Sequence, residues 1–167
     1  KGAKIISKII DVRDKEKMSK WILEIGKKYK LDFDTYSSSA AFLDFDLDGD
    51  LDMFQLNHSV HHNGTFGQKK GFEGKEHPLS GDKLMRNDNG KYVNVSTEAN
   101  IKSTVIGYGL GIAISDMNLD GYPDIYIAND FHENDYFYIN QKNGTFKEVM
   151  TEQMKHTSRF SMGTDIS

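Results

Sequence analysis

The feature that most constrains the fold is the stretch Asp44-Phe45-Asp46-Leu47-Asp48-Gly49-Asp50-Leu51-Asp52. It returns 72 residues later as Asp116-Met117-Asn118-Leu119-Asp120-Gly121-Tyr122-Pro123-Asp124. Each copy carries side-chain oxygens at relative positions one, three, five and nine and a glycine at six, so that a tight loop can turn its oxygens inward. Donors of that kind suit a hard cation. Calcium accepts about six to eight oxygens at flexible geometry, magnesium keeps much of its water, and zinc prefers nitrogen or sulfur. A solvated acidic turn needs no fixed spacing, and the second copy, with Asn118 at position three, repeats the chemistry rather than the charge.

An EF-hand loop begins the same way but requires a bidentate glutamate at position twelve, where this chain has Gln55 and Ile127. The flanks also differ from the long amphipathic helices of an EF-hand. Ala40-Ala41-Phe42-Leu43 and Ile112-Ala113-Ile114-Ser115 run into the loops; Met53-Phe54-Gln55-Leu56 and Ile125-Tyr126-Ile127-Ala128 run out. These short apolar runs read as strands, which places each cation loop in a β-hairpin.

A second hairpin follows each loop. Lys83-Leu84-Met85-Arg86-Asn87 turns through Asn89-Gly90 into Tyr92-Val93-Asn94-Val95, and Tyr136-Phe137-Tyr138-Ile139-Asn140 turns through Asn143-Gly144 into Phe146-Lys147-Glu148-Val149. Asn-Gly favours such turns because both residues tolerate positive φ. The loops are 72 residues apart but Lys83 and Tyr136 only 53, so the first copy holds about 19 extra residues, within His58 to Asp82. Insertions on a repeat scaffold usually occupy one exposed face. Met162-Gly163-Thr164-Asp165-Ile166-Ser167 aligns with Leu110 to Ser115, the run that leads into Asp116, and reads as the start of a third copy.

The expected fold is therefore all-β: four-stranded antiparallel sheets of the β-propeller type, which close with about four to eight blades. The expected boundaries are an N-terminal segment over 1–36, a first blade over 37–106 with its insertion at 58–82, a second over 107–160, and the start of a third over 161–167. Further blades or neighbouring chains would complete the ring. The chain begins at Lys1 rather than at a methionine, and the expectation is a segment upstream. Within 1–36, Ile5-Ile6 and Ile9-Ile10 suit a strand. Met18, Trp21, Ile22, Ile25 and Tyr29 recur at helical spacing, predicting a short helix packed against the first repeat.

Composition excludes some functions. The formal charge is −4, with 28% charged and 37% hydrophobic residues, so no basic surplus points to nucleic acid. Much of the acidic excess is local. Asp44, Asp46, Asp48, Asp50, Asp52, Asp116, Asp120 and Asp124 all lie in the two loops, which should repel themselves without a cation. Cysteine is absent, leaving no disulfide or thiolate site, and no apolar run has the length of a membrane span.

The loops, the "DGDLDMF" and "DGYPDIY" stretches and the "RNDNGKYVNVSTEA" and "INQKNGTFKEV" hairpins resemble FG-GAP/VCBS repeats, the integrin-α-like propeller blades. The likeness is to the bacterial kind that carries a C-terminal ASPIC/UnbV segment, and it covers residues 37–167. It implies a propeller stabilised by two structural calcium ions, in an extracellular, cell-surface or periplasmic protein. Carried over by position, the side-chain ligands are Asp44, Asp46, Asp48 and Asp52 in the first loop and Asp116, Asn118, Asp120 and Asp124 in the second. The carbonyls of Asp50 and Tyr122 supply position seven.

No His-Glu-x-x-His, Gly-x-Ser-x-Gly or Walker loop occurs. Gly107-Tyr108-Gly109-Leu110-Gly111 lacks the last glycine of a dinucleotide fingerprint and precedes a strand, so it reads as close backbone approach at an inner strand. His58, His61 and His62 offer neighbouring imidazoles for a transition metal, or simply occupy a loop. Asn57, Asn63, Asn94 and Asn143 begin glycosylation-type triplets, and Phe131, Tyr136, Phe137 and Tyr138 suit core packing better than a sugar-stacking row. The expected function is a non-catalytic module that binds a protein or glycan at the cell surface. The alternatives are part of a secreted polysaccharide-acting enzyme, or an assembly subunit of a cell-envelope complex that uses open blade edges.

Overall fold

The computed structural model describes residues 11, 13–59, 71–72, 74–131 and 133–166. Among the described residues, eight strands form two four-stranded sheets, each built from consecutive neighbours in sequence order. The first holds β1 (Ser37–Leu43), β2 (Asp52–Asn57), β3 (Lys83–Asn87) and β4 (Tyr92–Asn94). The second holds β5 (Gly109–Ser115), β6 (Asp124–Asn129), β7 (Tyr136–Asn140) and β8 (Phe146–Glu148). All pairings are antiparallel and the registers repeat: Leu43 faces Asp52 as Ser115 faces Asp124, and Met53 faces Met85 as Ile125 faces Tyr138. A four-stranded meander of this form is a propeller blade. Strands flank both acidic loops, as the apolar runs around them predict.

The blades share one core. Leu43, Phe45, Phe54, Leu56, Leu84, Val95, Ala99 and Ile101 from the first pack with Ile125, Ile127, Tyr136, Tyr138 and Phe146 from the second. Every residue of β2 is buried, so its run is continuously enclosed rather than half-exposed. The inner strand β5 lies against the first blade. A Cβ on Gly109 would stand 2.3 Å from Leu56 Cδ1, and the Ser38 hydroxyl donates to the Gly109 carbonyl at 2.7 Å. The glycine cluster thus gives the close approach its composition predicts. The outer strand β8 is tied to the crossover that follows β4: Phe146 N donates to Ala99 O at 2.9 Å, and Lys102 pairs with Glu148 at 2.6 Å.

Helix α1 (Lys15–Tyr29) occupies the predicted place, with Asp14 capping its first turn through Lys17 N and Lys30 closing its end in the left-handed region. It leans on the first blade rather than entering its core. Met18, Trp21, Ile25 and Tyr29 are half-buried, whereas Ile22 and Leu23 are exposed. Its contact is with the first hairpin turn, where Tyr29 Cε1 lies 3.7 Å from the position of a Cβ on Gly90. The strand expected over Ile5 to Ile10 falls outside the described residues.

The described part of the insertion is exposed over residues 71–72, 74–76 and 78–79, as an inserted loop should be, but its end is tied into the fold. Val105 N donates to Lys75 O, Tyr36 N donates to Leu79 O, and Ser80, Gly81 and Asp82 are buried. It is bonded both to the segment before β1 and to the crossover between blades. After β8 comes a single helical turn, α2 (Met150–Gln153), and then an extended segment. That segment bridges Asp130 through Phe160 and passes so near β5 that a Cβ on Gly111 would lie 2.9 Å from Gly163 Cα. Among the described residues no helix is long and apolar enough to cross a membrane.

Candidate metal centre

The two acidic loops have the same backbone. Position six is glycine at positive φ in both (Gly49, 89°; Gly121, 92°), and position four is a leucine in the left-handed region (Leu47, 60°; Leu119, 59°). The glycines meet that demand without a Cβ penalty, whereas the leucines bear about 1–2 kcal/mol each. Strain of this kind persists only where surrounding contacts dictate the backbone.

Position nine anchors each loop to its sheet. Asp52 accepts from Phe45 N at 3.2 Å through Oδ2 and from Asn87 N at 2.8 Å through Oδ1; Asp124 accepts from Met117 N at 3.0 Å and Asn140 N at 2.9 Å in the same way. Each carboxylate thereby ties the start of its loop to the end of the third strand. Burial raises Asp52 to about 6 against the pull of those amides, and raises Asp124 in the same direction.

In the first loop Asp44, Asp46 and Asp48 converge, with one oxygen from each lying within 4.8 Å of the others. Gly49 N donates to Asp44 Oδ2 at 3.1 Å and Asp50 N to Asp48 Oδ1 at 2.8 Å. Asp44 Oδ1 and Asp46 Oδ1 are buried and meet no hydrogen-bond donor among the described residues. Asp46 is raised by desolvation first and then by Asp48 and Asp44. Three converging carboxylates with unsatisfied inner oxygens fit a hard divalent cation, whose charge would offset their repulsion. The Asp50 side chain is not among the converging carboxylates.

The second loop is more fully bonded within the protein. Asp116 accepts from Asp120 N at 2.8 Å and Gly121 N at 2.7 Å, and Asn118 Oδ1 accepts from Asp120 N at 3.0 Å. Asp120 accepts from Tyr122 N at 2.9 Å and Asn118 Nδ2 at 3.1 Å, and Lys142 Nζ stands 3.4 Å from its Oδ2. Desolvation alone would raise Asp120, but the Tyr122 amide, the Asn118 amide and the Lys142 ammonium together pull it below the ordinary carboxylate value.

Several residues of this architecture escape a reading by motif. Asn87 and Asn140 end β3 and β7 and reach back with their side chains, Asn87 to Leu51 O at 3.1 Å and Asn140 to Phe45 O at 2.8 Å. Asp82 and Asp135 form a second repeated latch: each accepts the amide of the last residue of the second strand, Asn57 N at 2.9 Å and Asn129 N at 2.8 Å. The available signal was an Asn or Asp at the same hairpin position in both repeats. Of the histidines, His58 stacks edge-on against Tyr108 at 4.3 Å, while His61 and His62 lie outside the described residues. Asn57 is buried with its amide on Gly81 O, and Asn94 and Asn143 each cap their own turn; Asn63 also lies outside the described residues. Tyr136 and Tyr138 are core residues, while Phe131 and Phe137 are half-buried.

Residues 116–165 match the family model of the FG-GAP-like repeat. No curated protein matches the chain. The matched span opens on Asp116, the first carboxylate of the second loop, takes in β6 to β8, and ends in the extended segment packed beside Gly111. The first blade repeats that loop's turn, strand register and position-nine anchor, and the chain carries an FG-GAP-like repeat over its second blade.

Proposed function

We propose that this protein is a calcium-stabilised, non-catalytic recognition module of the integrin-like type, working outside the cytoplasm and binding a protein or a glycan at the cell surface. FG-GAP-like repeats are typical of extracellular proteins. The observation that carries the calcium reading is the convergence of Asp44, Asp46 and Asp48, with Asp44 Oδ1 and Asp46 Oδ1 buried and without a donor among the described residues. Asp44, Asp46, Asp48 and the Asp50 carbonyl would hold one ion, and Asp116, Asn118, Asp120 and the Tyr122 carbonyl a second; Asp52 and Asp124 close each loop from below. When bound, the ion supplies charge neutralisation and rigidity. The residues do the positioning: they fix the turn between the first two strands of each blade and, through the position-nine carboxylate, the third. Extracellular modules of this class bind calcium at about 10⁻⁴–10⁻³ M, which suits a compartment rich in that ion.

Calorimetric titration with calcium, paired with thermal melts in excess calcium and in EGTA, tests this reading. Calcium at a hundredfold excess over its dissociation constant adds about 2.7 kcal/mol. For a chain of this size that raises the melting temperature by roughly 5–10 °C. No heat of binding and superimposable melts would refute the calcium reading.

A further inference from the structure

The two loops share a backbone but not a charge balance. The first has five aspartates, Asp44, Asp46, Asp48, Asp50 and Asp52; the second has three, Asp116, Asp120 and Asp124, with Asn118 and Tyr122 at the remaining positions. The second loop also has a cation of its own. Lys142 Nζ lies 3.4 Å from Asp120 Oδ2, donates to the Asp120 carbonyl at 3.1 Å and sits 5.4 Å from the centre of the Tyr122 ring. Three contacts to one loop hold the ammonium more firmly than a lone surface pair would.

Lys142 is presented by the turn between β7 and β8, where it adopts φ 61°. The left-handed residue of the matching turn in the first blade is Asn89, φ 55°, which carries no charge. That hairpin carries Lys83, Arg86 and Lys91; Arg86 pairs with Asp88 at 2.8 Å and acts on Asp46 only at longer range, without contact. Among the described residues, no ion pair reaches Asp44, Asp46 or Asp48. The first loop retains two buried carboxylate oxygens without a donor, whereas both oxygens of Asp116 and of Asp120 are bonded.

We infer that Lys142 is a tethered counter-cation that partly neutralises the second loop, so that calcium binds there more weakly than at the first loop and is less needed for its fold. This rests on the calcium reading above. Site affinity in oxygen-ligand loops follows carboxylate count and rigidity, and an ammonium beside the site opposes an incoming divalent ion. The first loop becomes the ion-dependent element, while the second keeps its shape across a wider range of calcium concentration.

Calcium titration of the full chain by calorimetry, with Lys142→Gln, Asn118→Asp and Asp48→Ala beside the unaltered protein, tests the inference. Two classes of site are expected, with Asp48→Ala abolishing the tighter one. Lys142→Gln removes the charge from an exposed side chain and should tighten the weaker class about fivefold, the scale of one screened charge, leaving the tighter class unmoved. Asn118→Asp should also tighten the weaker class. In EGTA, Lys142→Gln should melt below the unaltered protein, and in saturating calcium the two should coincide. Equal sites in the unaltered protein, or a weaker class indifferent to Lys142→Gln, would overturn the role of Lys142 while leaving calcium binding intact. Failure of every variant to bind calcium would instead end both readings.

Discussion

The side-chain amide of Asn140, at the end of β7, donates at 2.8 Å to the carbonyl of Phe45, the second residue of the cation loop in the other blade. Asn140 N is held by Asp124, and Phe45 N by Asp52, which also accepts from Asn87 N. A continuous path of buried or half-buried hydrogen bonds thus connects the base of one loop to the base of the other. Each member is charge-assisted or enclosed, the setting in which a lost partner costs most.

Asn140→Ala should therefore destabilise by about 1–3 kcal/mol, the cost of leaving buried groups such as the Phe45 carbonyl without a partner. Urea denaturation reads this directly. Calcium affinity at the first loop should fall as well, although residue 140 lies outside that loop.

Asp48→Ala and Asp52→Ala should part company in EGTA. Asp48 contributes to the converging oxygens, so its loss removes repulsion when no cation is bound; the metal-free melt should hold steady or rise while the calcium-dependent increment disappears. Asp52 ties Phe45 N to Asn87 N, so its loss should cost about 1–3 kcal/mol with or without calcium. Equal behaviour of the two variants in EGTA would show that the division between ion-holding and sheet-anchoring carboxylates is wrong.

The contact between blades can be probed at Gly109. A methyl group there would stand 2.3 Å from Leu56 Cδ1 and 2.5 Å from its Cγ, and Leu56 is fully buried. Gly109→Ala should cost about 1–3 kcal/mol through overpacking. Leu56→Ala should cost about 2–5 kcal/mol through the cavity it leaves. Because each change relieves the other, the double variant should lose less than the two losses combined, a coupling that a double-mutant cycle measures.

Asp82 sets a pH dependence. Desolvation raises this buried carboxyl to about 7, against the pull of the Asn57 amide and the nearby Lys83. In the unfolded chain it titrates near the ordinary value of 3.8. The folded protein therefore binds this proton more tightly than the unfolded chain does. The associated stability is full below about pH 4 and is lost as pH rises through about 7, at no more than about 1.4 kcal/mol per pH unit. Asp82→Asn should reduce the slope between those limits, most visibly above about pH 6 where the contribution of Asp52 is spent, and leave the variant more stable than the parent at pH 8. Denaturation midpoints across pH 4–8 would show it, and parallel profiles would contradict it.

Much of the fold was legible because local and global signals agree. The hairpin strands Lys83–Asn87 and Tyr136–Asn140 lie where the Asn-Gly turns place them, and α1 follows the spacing of Met18, Trp21, Ile25 and Tyr29. The convergence of Asp44, Asp46 and Asp48 was legible from spacing alone, since all three lie in one turn. What sequence could not show was long-range or without a local mark. Asn140 meets Phe45 across 95 positions, and Lys142 reaches Asp120 only because a hairpin folds back over the loop. Leu47 and Leu119 take a left-handed backbone with no residue-type signal for it. The tail of the insertion reads as a polar surface loop, yet Ser80 and Asp82 are buried because the backbone bonds the loop to its surroundings.

Repeat proteins are often treated as rows of nearly independent units that can come undone one after another. Here Phe54 and Leu56 share their enclosure with Ile127, Tyr138 and Phe146, so neither sheet has a private interior to fall back on. Detaching either blade would wet the apolar side of the survivor. The pair should accordingly behave as one cooperative unit, unravelling in a single step rather than blade by blade.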